Sequence, residues 1–156
     1  MKEINSKSSL KQALYEKCMD YAEERIRNVQ RAIDAASESG NDETKSSAGD
    51  KHETGRAMMQ LEQEKNAKQL QEALVLKKNL ASVDITRNAE KTSVGSLVET
   101  DKGMFFIAVS AGKIMVDGEI YYAVSPASPL ARALSGLKKD EKCTFSGQEY
   151  RILSVF

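Results

Sequence analysis

Tryptophan is absent from this 156-residue chain, histidine occurs once, at His52, and proline and cysteine occur twice each. A single histidine excludes any mechanism that needs two, including a condensing site built on one Cys and two His, and excludes a His-rich zinc site. Cys18 and Cys143 lie far apart and form no CxxC, which predicts two free thiols in a reducing cytosol. There is no GxxxxGK followed by Ser or Thr, and no GxGxxG after a strand. No apolar run approaches the ~20 residues of a membrane span. The start, Met1 to Lys7, lacks the apolar stretch of a signal peptide, so the expectation is a cytoplasmic protein with no membrane role. Charge of one sign is lacking too: 23 Lys and Arg face 23 Asp and Glu, for a formal net charge of +0. No global basic field would recruit nucleic acid. Aromatics are only 6% and apolar residues 40%, thin for one compact core, so the length is read as one domain or two small ones.

Glycine and proline are distributed unevenly. Neither occurs from 8 to 39 or from 56 to 94, while Gly40, Gly49 and Gly55 cluster between, and Pro126 and Pro129 fall in the last third. That pattern predicts two long helices, a glycine-marked turn, and a separate C-terminal domain. In the first helix Tyr15, Met19, Ala22, Ile26, Val29, Ile33 and Ala36 alternate spacings of four and three, one narrow seam of coiled-coil width. The second has a looser seam of Ala57, Leu61, Ala67, Leu70, Leu74 and Leu80. An antiparallel hairpin over residues 1–85 is expected, and helices of about 30 residues would make it roughly 45 Å long. Its tip, around 37–55, is acidic: Asp34, Glu38, Asp42, Glu43, Asp50 and Glu53 stand against Lys45 and Lys51. The stretch Ser37 to Ser47 reads as a loop.

After residue 93 the period becomes two. Asp101-Lys-Gly103, Asp117-Gly118 and Ser146-Gly147 each separate apolar runs and predict turns between strands. Between the second and third, Ser128, Pro129 and Gly136 fit the N-cap, N1 and C′ positions of a two-turn helix. Residues 86–156 are thus expected to form a small antiparallel sheet with one short helix against it, and the fold class is α+β.

The segment Val124-Ser-Pro-Ala-Ser-Pro-Leu-Ala-Arg-Ala-Leu-Ser-Gly136, followed by Lys138-Lys-Asp-Glu141, resembles a segment of the bacterial Gre transcript cleavage factors. There it runs Ser-Pro-Ile-Ala-Arg-Ala-Leu, Leu or Ile, then Gly-Lys-x-x-Gly-Asp. Gly49-Asp50-Lys51-His52-Glu53 is similar to that family's tip, Gly-Asp-Leu, Ser or Lys, then Glu-Asn-Ala-Glu-Tyr. The resemblance covers essentially the whole chain and implies an FKBP-like C-terminal domain behind a coiled-coil hairpin. It implies a cytoplasmic, monomeric partner of RNA polymerase that enters the secondary channel and stimulates cleavage of backtracked RNA at its 3′ end, without being an enzyme by itself. Asp50 and Glu53 would then be the catalytic pair, holding a Mg²⁺ shared with the polymerase and not retained by the isolated protein. Ser128, Pro129, Leu130 and Arg132 would face the polymerase, and Lys51 and Arg56 would contact RNA. Where the family has Asn-Ala-Glu-Tyr, this chain has Thr54-Gly55-Arg56-Ala57.

The residues themselves support more than one use. Asp50 and Glu53 are i, i+3, so at a helix start they share a face. The same pair fits a capping box, with Asp50 as N-cap and Glu53 at N3. Ser128 and Pro129 suit helix initiation as well as docking. Three other functions compete: a secondary-channel regulator without cleavage activity, a coiled-coil adaptor, and a prolyl isomerase built on the sheet.

Overall fold

The computed structural model describes the backbone of residues 2–45 and 50–156 and the side chains of residues 7–38 and 54–156. Two long helices, α1 (Lys2–Lys45) and α2 (Asp50–Ala81), precede six strands and one short helix. The strands are β1 (Leu97–Thr100), β2 (Gly103–Ile107), β3 (Gly112–Val116), β4 (Glu119–Val124), β5 (Lys142–Phe145) and β6 (Gln148–Val155), with α3 (Pro129–Leu134) between β4 and β5. The α+β class therefore holds. By contacts the chain divides into one unit of Met1–Tyr21 with Lys78–Phe156 and a second of Ala22–Lys77. The first unit thus takes in the start of α1, which a division of the sequence at residue 85 assigned to the helical arm.

Helix α1 extends to Lys45, through most of the stretch expected to be a loop. One interior glycine, Gly40, costs only about 1 kcal/mol, and lengthening an existing helix needs no new nucleus. The buried stripes differ from the expected seams. On α1 they are Lys11, Leu14 and Cys18, then Ala22 and Val29, with Tyr15 and Met19 only half-buried. On α2, Asn66, Ala73 and Leu80 are buried at heptad spacing, while Leu61 is 66% exposed and Leu74 49%. Helix α2 carries apolar residues on two faces, so periodicity alone could not say which packs inward. In the second unit, an exposed ion pair between Lys77 and Glu23, at 3.6 Å, links the two helices.

The strand order is β3-β4-β2-β1-β6-β5. Four of the pairings are antiparallel, but β2 and β4 run parallel, with Phe105 opposite Tyr122. The sheet is mixed, which corrects the expectation of an antiparallel one. Turn chemistry specified the tight hairpins: Asp117 and Gly118 have φ of 51° and 81°, and Ser146 and Gly147 have 53° and 75°. It did not specify where β3 would go. Strand β3 lies outside β4, and β4 therefore meets β2 in the same direction.

Side chains alternate between the sheet faces. On one face Val98, Phe105, Ile107 and Ile152 pack against Ala131 and Leu134 of α3. On the other, Leu97, Phe106, Tyr121 and Ala123 are buried as well. Complete burial of residues such as Leu134 and Ile152 stabilises by roughly 1.5–3 kcal/mol each. Gly95 lies against the segment that follows α2, at Val83 and Asp84. Its φ is +91°, and an added Cβ would collide with the Asp84 carbonyl oxygen, so only glycine fits.

Candidate functional site

The predicted metal and RNA residues stand where α2 begins. Asp50 is its first residue. The side chains of Asp50, Lys51, His52 and Glu53 lie outside the described residues. Two carboxylates are the hard oxygen donors that Mg²⁺ takes, yet two leave an octahedral shell incomplete. Among the described residues no group of three or more His, Cys, Asp or Glu could hold a metal ion. Arg56, one turn further along α2, is exposed.

The second predicted cluster is described in full. Ser128 caps α3: its backbone is extended at φ −64° and ψ 149°, and its Oγ accepts the Ala131 N–H at 3.2 Å. Pro129 occupies N1, where its missing N–H leaves no orphan donor. Gly136, at φ +78°, takes the left-handed position after the helix. Leu130 turns inward and packs against the core cluster. Pro129 and Arg132 remain exposed. The Ser-Pro-Leu-Ala-Arg segment thus splits into a cap, an inward anchor and two exposed residues, Pro129 and Arg132. A notch of about 40 Å³ lies beside it, lined by Thr92, Ser93, Val94, Ile107, Pro126, Ala131 and Ser135. The Thr92 hydroxyl is buried there with no hydrogen-bond partner among the described residues.

No protein-family model matches the chain, and no curated protein matches it. The site must therefore be judged on its own chemistry.

That chemistry includes residues the sequence analysis passed over. Lys11 is only 2% exposed. Its Nζ donates to the carbonyl oxygens of Arg87, at 3.4 Å, and Phe156, at 3.2 Å. Burial holds its pKa below the ordinary lysine value, against a smaller upward pull from Asp84. Lys7 Nζ sits 3.8 Å from the centre of the Phe156 ring, a cation–π geometry. Both lysines line a cavity of about 470 Å³ with Ser8, Thr86, Asn88 and Glu90. A signal for Lys11 was present: it stands seven residues before Cys18 and three before Leu14, on the stripe that is buried. Phe156 itself extends the sheet, exchanging backbone hydrogen bonds of 3.0 and 2.9 Å with Leu97.

The cysteines have no assigned chemistry. Burial pushes the Cys18 thiol up to about 12, and Cys143 also lies above its usual range for the same reason. Neither has the electropositive setting of a reactive thiolate.

Proposed function

We infer that the chain is a Gre-like factor that binds bacterial RNA polymerase and inserts a helical hairpin into the secondary channel, where it stimulates Mg²⁺-dependent cleavage of backtracked RNA. The observation that carries this reading is the chain order of the elements. Two long helices precede and follow residues 46–49 in the chain, α2 opens with Asp50 and Glu53, and a capped Ser-Pro-Leu-Ala-Arg helix on a small sheet follows. The Lys77–Glu23 ion pair supports antiparallel packing of α1 on α2. The one short helix on a mixed sheet supports an FKBP-like C-terminal domain.

In this mechanism the helices supply reach and the C-terminal unit supplies docking. Pro129 and Arg132 are open to the polymerase, and Ser128 and Leu130 hold them in place. Asp50 and Glu53 would hold Mg²⁺ only together with oxygen donors of the polymerase site. When bound between such donors, the ion lowers the pKa of a water and stabilises the leaving oxygen of a phosphodiester. Lys51 and Arg56 would bear on RNA phosphates.

The Thr54-Gly55-Arg56-Ala57 sequence, with a base where the resembled family has an acid, favours a second reading: occupancy of the channel without cleavage. One experiment separates the two. A stalled, backtracked elongation complex with labelled RNA receives the protein and Mg²⁺, beside Asp50→Ala and Glu53→Ala. Release of short 3′ fragments by wild type alone supports cleavage. Competition with a secondary-channel factor without cleavage supports the regulator. Neither effect refutes both and leaves an adaptor.

A further inference from the structure

The chain has no net charge, yet the pairing registers put every strand acid on one face of the sheet. The acids within the strands are Glu99, Glu119 and Glu149. They pair with Ser154, Val116 and Thr144, positions that alternate with the row holding Val98, Tyr122 and Tyr150. All three therefore point to the face opposite the α3 core.

Across the other face runs a row of rings from four strands. Tyr122 of β4 lies 5.8 Å from Phe105 of β2, Phe105 lies 6.3 Å from Tyr150 of β6, and Tyr150 lies 6.3 Å from Phe145 of β5, centroid to centroid. Tyr122 lies outside the cluster that α3 buries, and it is 41% exposed. Beside it on the same face, Met115 and Ile120 pair with each other and are exposed as well. Two of these rings have a lysine near them. Lys113 is the cross-strand partner of Tyr122 and makes no ion pair among the described residues. Lys102 Nζ lies 5.7 Å from the Tyr150 ring centre and has a 3.7 Å ion pair with Asp101.

We propose that this end of the sheet binds single-stranded nucleic acid, with a base stacked on Tyr122 and phosphates on Lys113 and Lys102. Every base offers a flat face to an exposed ring, so such a platform is indifferent to sequence. Lysine acts as a point charge for phosphate, and no strand carboxylate shares the face of Tyr122 and Lys113. The exposed Tyr122 ring, with Lys113 opposite it in register and Lys102 along the same row of rings, favours a nucleic acid over an acidic peptide, because a stacking surface stands beside cations that phosphates can take. The site uses neither Asp50 nor Glu53, so the proposal stands whether or not the protein acts on RNA polymerase.

The test is fluorescence anisotropy of a short labelled oligouridylate with the purified full chain. Two phosphate contacts predict a log–log salt slope of about −1.4, at about −0.7 per contact. Tyr122→Ala should weaken binding roughly 5- to 150-fold, the range of one lost stack, and Tyr122→Trp should retain it. Lys113→Glu, on an exposed edge strand, should weaken binding and flatten the slope by about 0.7; it keeps the test valid if Tyr122→Ala fails to fold. No binding at low salt, equal affinity for duplex, or indifference to Lys113→Glu would overturn the proposal. So would binding of an acidic helical peptide with no binding of the oligonucleotide.

Discussion

Replacing Asn66 with leucine should stabilise the helical unit. Asn66 is 3% exposed, and its Nδ2 is buried without a hydrogen-bond partner among the described residues. It shares a heptad stripe with the buried Ala73 and Leu80. An orphaned buried donor carries a desolvation penalty of about 1–3 kcal/mol. Leucine removes that penalty and adds apolar burial, while crowding in a packed seam takes back about 1 kcal/mol or more. The net expectation is a gain of about 1–2 kcal/mol. For a chain of this length each kcal/mol moves the thermal midpoint by about 2–4 °C, so the shift should be about 2–8 °C upward. Because the chain divides into two units, hydrogen exchange of the α2 amides around residue 66 is the sharper readout, and protection there should rise. Asn66→Asp should act in the opposite direction, since it buries a charge in the same place. A lower midpoint for Asn66→Leu, with less protection in α2, would refute the reasoning: the amide would then be satisfied and the asparagine a net stabiliser. A polar seam residue of this kind commonly selects register at the expense of stability, and the leucine variant should show whether it does so here through any change in oligomeric state.

Ser128→Ala removes the cap of α3 and should lower stability by about 1 kcal/mol in a urea titration. Arg132→Ala should stay within about 0.5 kcal/mol of wild type while weakening capture by RNA polymerase; a large stability loss would mean that Arg132 is structural. A disulfide reagent at neutral pH should modify the half-buried Cys143 first and reach Cys18, whose thiol is pushed up to about 12, only on unfolding; equal rates would contradict its burial. Lys11 has a lowered pKa in the folded chain. As pH rises, the native state gives up that proton before the unfolded chain does, so the unfolded state binds more protons and stability rises towards the ordinary value of 10.5. Lys11→Met should remove that rise from urea midpoints measured across the range, and parallel curves would show that the ammonium is not desolvated.

Much of the C-terminal unit was legible in the residues. Asp117-Gly118 and Ser146-Gly147 demand positive φ at both central positions, and both took it. Ser128, Pro129 and Gly136 mark the ends of α3 by local hydrogen bonding and sterics, which need no distant partner. The helical character of residues 8–39 and 56–81 was legible for the same reason. The inward face of α2 was not. Leu61 and Leu74 have the right chemistry for a seam, but Asn66 and Ala73 occupy it, because inward direction is set by the partner helix. The neighbour of β4 was not legible either. The tight turn joined β3 to β4, while the parallel pairing with β2 depends on which edge remained free.

The amino-acid sequence by itself determined the α+β class, the helix and turn signals and the Ser-Pro-Leu-Ala-Arg segment, because each rests on interactions spanning a few residues. It also set the total charge at zero. Only the tertiary structure decided where that charge went. Pairing registers placed Glu99, Glu119 and Glu149 on one face of the sheet and left Tyr122 and Lys113 together on the other. The same long-range packing drew Lys11 into the interior beside Arg87 and Phe156. Composition counts charges, but a field and a site depend on their separation in space, which contacts between distant parts of the chain create.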